Sequence, residues 1–266
     1  MNTISFILAN YVARQLGYRM KQWGEGDRAT QEYYKPLSTY RERLNAVLAE
    51  VRALGFNAID LWLPFLNPDW ATPEHVAIAQ ALLKQYGLAV VSLAGGFGST
   101  REQFERVCAL APAFGAPVLG GSTNLVDGDR AFVVKALRKH GVKLGYENHP
   151  AEKTPQDLLR KIGTGDEDVI GATIDTGWFG TQGYNAARAI EEVGPRIFHV
   201  HLKDVRESGT HHTCRFGEGV VPIQACVAAL RRMAYSGAIS IEHEPESFDP
   251  TEDIKASYAM LKRWLA

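Results

Sequence analysis

A chain of 266 residues, 45% hydrophobic and 22% charged, has ample material for a core. Its length suits an α/β barrel, typically about 250 residues, better than an ordinary smaller domain. The formal net charge of −1 offers no broad basic field for nucleic acid or an anionic membrane. Cys108, Cys214 and Cys226 are odd in number and far apart, which speaks for reduced thiols in a cytoplasmic protein, not a disulfide framework.

In chain order, short apolar runs ending in polar residues alternate with longer amphipathic segments. The opening MNTISFILANYVARQLGY has an apolar run broken by Asn10 and Arg14, so it reads as a first strand. It lacks the length of a membrane span and the pattern of a secretory signal. The spacing predicts strands over 4–11, 56–64, 88–96, 116–122, 142–148, 169–176, 197–204 and 238–244. Amphipathic helices are clearest over 40–55, 73–87, 101–115 and 130–141, and Gly55, Gly87, Gly115 and Gly141 stand where glycine ends a helix. Thr154-Pro155, Pro222 and Pro250-Thr251 mark further helix starts, the last opening a closing helix. Residues 12–36 read as a long irregular loop after the first strand, able to overhang the barrel top. Alternating strands and helices imply parallel strands joined by crossovers. The expected fold is α/β, a single (β/α)8 TIM barrel over 1–266. An open doubly wound sheet is the rival, but no GxGxxG opens a first helix.

Active sites of such barrels lie at the carboxyl ends of the strands. Strand side chains alternate faces. RIFHVHLKDV therefore puts Phe198, Val200 and Leu202 on one face and Ile197, His199, His201 and Lys203 on the other. GYENHP pairs Glu147 with His149, TIDTGW pairs Thr173 with Asp175, and ISIEHEP groups Ser240, Glu242 and Glu244. The aliphatic faces would pack on helices and the polar faces would line the mouth. Two glutamates, an aspartate and a histidine at successive strand ends suit one divalent ion. The plainer alternative is a set of hydrogen-bonded mouth residues. His243 faces the helices in this register. Trp178 in DTGWFG and Trp62 in DLWLP, with Asp60 beside it, either stack on a bound ligand or cover the rim. GTHHTCRFGEG (209–219) has two adjacent histidines and a cysteine. No second cysteine pair stands at zinc-finger spacing, so a mobile loop beside the site is expected.

The motifs ENH, IDTG, HVHLKD and IEHE, in this order, resemble the sugar phosphate isomerase/epimerase family, also called the xylose isomerase-like barrels. The resemblance covers essentially the whole chain and is strongest from Gly145 to Pro245. It implies Glu147, Asp175, His201 and Glu242 as ligands of one divalent metal ion, manganese foremost, with magnesium, cobalt or zinc as alternatives. It implies acid and base roles for Glu147 and Glu242, and substrate contact by Arg215. Lys203 and His149 match positions that often line the pocket. Many members carry a histidine three residues after the strand 6 aspartate, where this chain has Trp178, which leaves substrate identity open.

The expected activity is an isomerase or epimerase acting on a ketose or related keto-polyol, with proton abstraction beside a carbonyl through an enediolate. The nearest alternative is a keto-sugar lyase of the inosose dehydratase type. An abasic-site endonuclease and a non-catalytic sugar-binding subunit rank lower. The expected partner is a small sugar or keto-polyol, with no nucleic acid and no membrane. Homo-oligomer formation stays open.

Overall fold

The computed structural model describes residues 2–266. Eight parallel strands close a barrel: β1 Ile4–Ile7, β2 Ala58–Trp62, β3 Ala89–Gly96, β4 Val118–Ser122, β5 Lys143–Glu147, β6 Ile170–Asp175, β7 Ile197–Leu202 and β8 Ile239–Ile241. Each strand pairs with its sequence neighbours, and β1 closes the ring against β8 with Ser5 opposite Ser240. Helices cover the outside, and the main core lies between them and the strands. The predicted barrel is therefore the observed one. No helix among the described residues is long and apolar enough to cross a membrane.

The helices start and stop for local reasons. Thr154 accepts a hydrogen bond from the Asp157 amide while the Asp157 side chain accepts from the Thr154 amide, a reciprocal cap on the helix Pro155–Ile162. Gly87 and Gly141 end their helices in the left-handed conformation, at φ +60° and +66°.

Two segments differ from expectation. The first apolar run is a strand only to Ile7, and Leu8–Tyr11 turns into a 3-10 helix. Asn10 explains the turn: its amide donates to the Ile241 carbonyl at 3.1 Å and its oxygen accepts from the His243 amide at 2.7 Å. This ties the end of β1 to the end of β8. The expected irregular stretch 12–36 contains a full helix, Trp23–Tyr34. Its Gly26 lies so close to Val12 that a Cβ there would sit 2.4 Å from the Val12 carbonyl oxygen. The glycine that weakens helix propensity is what lets this helix dock.

Candidate metal centre at the barrel mouth

β5, β6, β7 and β8 each deliver a polar side chain upward at or just beyond the strand end. Glu147 closes β5, Asp175 closes β6, His201 is one residue from the end of β7, and Glu242 follows β8 directly. Side-chain hydrogen bonds fix the backbone on which they stand. The Asn148 amide donates to the Asp175 carbonyl and its oxygen accepts from the Asp175 amide, both at 2.9 Å. The Thr176 hydroxyl likewise donates to the Lys203 carbonyl and accepts from the Lys203 amide, both at 2.8 Å.

Asp175 has two tasks. Its Oδ1 accepts from the Gly177 and Trp178 amides at 2.7 and 3.1 Å, capping the short helix Thr176–Thr181. Its Oδ2 turns to the Lys203 Nζ at 3.0 Å. Gly177 is required here, because a Cβ at that position would lie 2.6 Å from the Lys203 side chain. The DTG and HLK segments are thus one packing unit.

The centre of the site is crowded with charge. His201 Nδ1 lies 2.6 Å from Glu147 Oε1 and 3.4 Å from Glu242 Oε2. Lys203 Nζ lies 3.0 to 3.2 Å from Asp175, Glu242 and Glu244. Trp23 Nε1 donates to the other Glu244 oxygen at 3.2 Å. Burial would lift the Glu147 carboxyl, but His201 and His149 outweigh it and hold the group down at about 2. Burial, with Glu244 and Asp175 nearby, pushes Glu242 well above the usual carboxylate range despite Lys203 and His201. Burial opposes the charge on Lys203, but Asp175, Glu242 and Glu244 hold its pKa well above the ordinary value.

The donor set fits a divalent ion. Ligand atoms of Glu147, His201 and Glu242 lie within 4.8 Å of one another. Glu242 Oε2 and Asp175 Oδ2 have charged neighbours yet no hydrogen-bond partner in line among the described residues. Buried oxygens left this way are costly unless something binds them. Asp175 is not in the three-residue cluster; it reaches it through Lys203, which contacts both Asp175 and Glu242.

All four side chains line one cavity of about 510 Å³, together with Trp62, His149, Trp178 and Lys203. That size suits a small-molecule ligand. Another cavity, of about 380 Å³, sits at the strands' amino ends around Pro117, Lys143 and Tyr235, away from the carboxylates. The mouth cavity is the one with convergent chemistry.

Arg215 is elsewhere. Its guanidinium donates to Asp253 Oδ1 on the closing helix Thr251–Leu265 and does not line the cavity. The stretch 209–219, expected to be mobile, is tied down. Thr213–Cys214 pairs antiparallel with Asp204–Val205, and the Asp204 carboxylate accepts from the amides of Gly217, Gly219 and Val221 at 2.9 to 3.1 Å. His243 is buried among outer elements, on Thr213 and Asp253, as its register implied. Sequence reasoning missed Trp23 and His211 as lining residues. Neither carries a periodic signal, since one comes from the supposed loop and the other from a non-repeating connection.

Known proteins agree with this architecture. The family described as xylose isomerase-like TIM barrel matches residues 48–264. An inosose dehydratase of Clostridium perfringens is 20% identical over 264 residues, 90% of this chain and 83% of that protein. A D-psicose 3-epimerase of Enterocloster bolteae is 24% identical over 257 residues, 80% and 78% of the two chains. An uncharacterised protein of Methanocaldococcus jannaschii is 32% identical over 120 residues, only 42% of this chain and 40% of that one. Among solved structures, a D-tagatose 3-epimerase-like protein superposes with a TM-score of 0.67 at 20% identity, covering 82% of this chain and 91% of that one. The resemblance read from ENH, IDTG, HVHLKD and IEHE is borne out at the level of family.

Proposed function

The chain belongs to the xylose isomerase-like TIM barrel family, and we propose that it is a metal-dependent isomerase or epimerase of a ketose or related keto-polyol. The observation that carries this reading is the pair Glu147 and Glu242, both within reach of His201 and both opening on the mouth cavity. Glu147, Asp175, His201 and Glu242 would hold one divalent ion, with manganese the first choice and magnesium, cobalt or zinc the alternatives. When bound, such an ion supplies Lewis acidity toward a carbonyl and an adjacent hydroxyl oxygen.

The chain's own residues do the rest. One glutamate takes a proton from the carbon beside the carbonyl, and the other returns it from the opposite face, giving the epimer. A bound divalent ion would keep both carboxylates ionised at rest, so each would have to move or share its ligand to act as the acid. His149 Nε2, 3.7 Å from Glu147 Oε2, helps to orient that carboxylate. Trp62 and Trp178 line the cavity and supply apolar wall beside the sugar.

One observation favours a second reading, a lyase. The Lys203 ammonium sits 3.2 Å from Glu242 and lines the cavity, so it could protonate a departing hydroxyl after the same proton abstraction. Incubation with D-psicose or an inosose in deuterated water, with manganese, tests both. An epimerase puts deuterium beside the carbonyl in a product otherwise of unchanged mass; a lyase releases water and an enone absorbance grows. Absence of exchange and of product with either sugar, across all four metals, sinks the proposal.

A further inference from the structure

We propose that His211 is a substrate-binding residue that accepts a hydrogen bond from a substrate hydroxyl through its Nε2. The inference deepens the proposed function, because the cavity it concerns is the same. The His211 ring lies parallel to the Trp178 indole, with centroids 3.5 Å apart and planes 7° apart, and both rings line the cavity. The two residues come from different connections, Trp178 from the helix that follows β6 and His211 from the hairpin that follows β7. Their stack closes the wall between those strands.

Hydrogen bonding fixes which nitrogen carries the proton. The Thr181 hydroxyl has one proton and donates it to the Thr210 carbonyl at 3.1 Å. The same oxygen lies 2.9 Å from His211 Nδ1, so it accepts there, and Nδ1 bears the hydrogen. The opposite tautomer would make one of these bonds in place of two. Burial, with Lys203 nearby, pushes the imidazole pKa down to about 2, so the ring is neutral at ordinary pH. Nε2 is then a bare acceptor.

That acceptor has no hydrogen-bond partner among the described residues and is shut from solvent. A buried acceptor in this state is uncommon, and the deficit is removed when a ligand brings a donor. The Thr181 and Gly209 bonds hold the segment in place, so an entering hydroxyl would reach Nε2 by a small shift of the ring within its stack on Trp178. A hydroxyl-rich ligand in the cavity is the chemistry that supplies such a donor. His211 would read one hydroxyl while Trp178 supports the apolar face of the same ligand.

Histidine-selective 15N NMR of the magnesium-loaded protein tests the first half directly. His211 Nε2 should resonate as an unprotonated nitrogen; a protonated Nε2 in the free protein overturns the proposal. The second half is kinetic, using whichever of D-psicose or an inosose is turned over. His211→Phe keeps a ring on Trp178 but removes the acceptor, and should raise KM about five- to tenfold, with the smaller share of the loss in kcat. His211→Gln, which restores an acceptor oxygen, should recover part of it. An unchanged KM in H211F overturns the assignment. If wild type turns over neither sugar, the proposed function fails, and the nitrogen resonance alone then decides the state of His211.

Discussion

Two buried clusters share His201, and they differ in one respect. Below it, in the barrel interior, Asp60 accepts from His199 Nε2 at 2.6 Å and from the Ser240 hydroxyl at 2.7 Å, and Ser240 lies 2.6 Å from Ser5. Above it, Glu147 and Glu242 flank Nδ1, with Asp175 and Glu244 close by through Lys203. Both clusters have ligand atoms near enough to hold an ion. In the lower one Asp60 is bound by His199 and Ser240, and only His201 Nε2, 3.3 Å from Asp60 Oδ2, lacks a partner in line among the described residues. Neither Asp60 nor His199 lines the mouth cavity. The upper one keeps unpartnered oxygens and opens on the mouth. Burial is equal; access to the mouth cavity and the number of carboxylate oxygens left unpartnered are not. A polar group whose bonds are complete holds the barrel together, and one whose bonds are incomplete is available for a ligand.

The largest effect should come from the upper cluster. Glu242→Gln or Glu147→Gln removes a base and a charged ligand with little change of shape, and turnover should fall by at least 10²–10⁴, as for loss of general acid–base catalysis. Circular dichroism should still report a folded barrel. Full activity in both variants would mean that the upper cluster is as structural as the lower one. Asp60→Ala should act the other way, stripping both His199 and Ser240 of their shared partner. Breaking a buried pair from one side costs about 3–5 kcal/mol, to be read from denaturant midpoints. A loss below about 1 kcal/mol would break the contrast.

A third prediction concerns the ion itself. Manganese at a free concentration 100 times its Kd should stabilise wild type by about 2.7 kcal/mol, seen as a rise in Tm that a chelator reverses. The double variant Glu147→Gln, Glu242→Gln should show no such rise, while Asp60→Asn should keep it. Stabilisation that survives the double variant but disappears in Asp60→Asn would move the metal site to the lower cluster.

The distinction between the clusters was only half legible in the sequence. Period-two alternation put His199, His201, Ser240 and Glu242 on the inward face, because a strand allows no other choice once its aliphatic face is known. It could not say how deep each one sits. His199 lies on Asp60 only because β2, more than a hundred residues earlier, delivers that carboxylate across the barrel. The helix Thr176–Thr181 was invisible for a related reason: TGWFGT is poor in helix formers, and the turn forms because Asp175 caps it. Arg215 shows a motif position carried over without its surroundings. The arginine is present, but Asp253 of the closing helix holds it outside the cavity. His211 was unreadable because its partner Trp178 lies on another connection, although Trp178 itself was expected near the substrate.

The smallest predicted effect separates burial from partnership and so sharpens the comparison. Burial alone would raise the Asp60 carboxyl, yet His199 and the hydrogen bonds from His199 and His201 hold it well below the usual range. Cys226, in the helix Ile223–Arg232, is also fully covered but has no cation to offset burial. Burial, with Asp204 adding to it, pushes that thiol up from 9.0 to about 12. The folded state therefore keeps its proton where the unfolded state loses it. Stability from this group is fully present below pH 9 and is lost as pH rises from 9 toward 12. By pH 10 the loss should be about 1.4 kcal/mol relative to Cys226→Ala, which cannot titrate there. Urea melts of both proteins at pH 8 and pH 10 measure the difference. If the gap between them is the same at the two pH values, burial does not shift the thiol, and the role assigned to the partners of Asp60 loses its control.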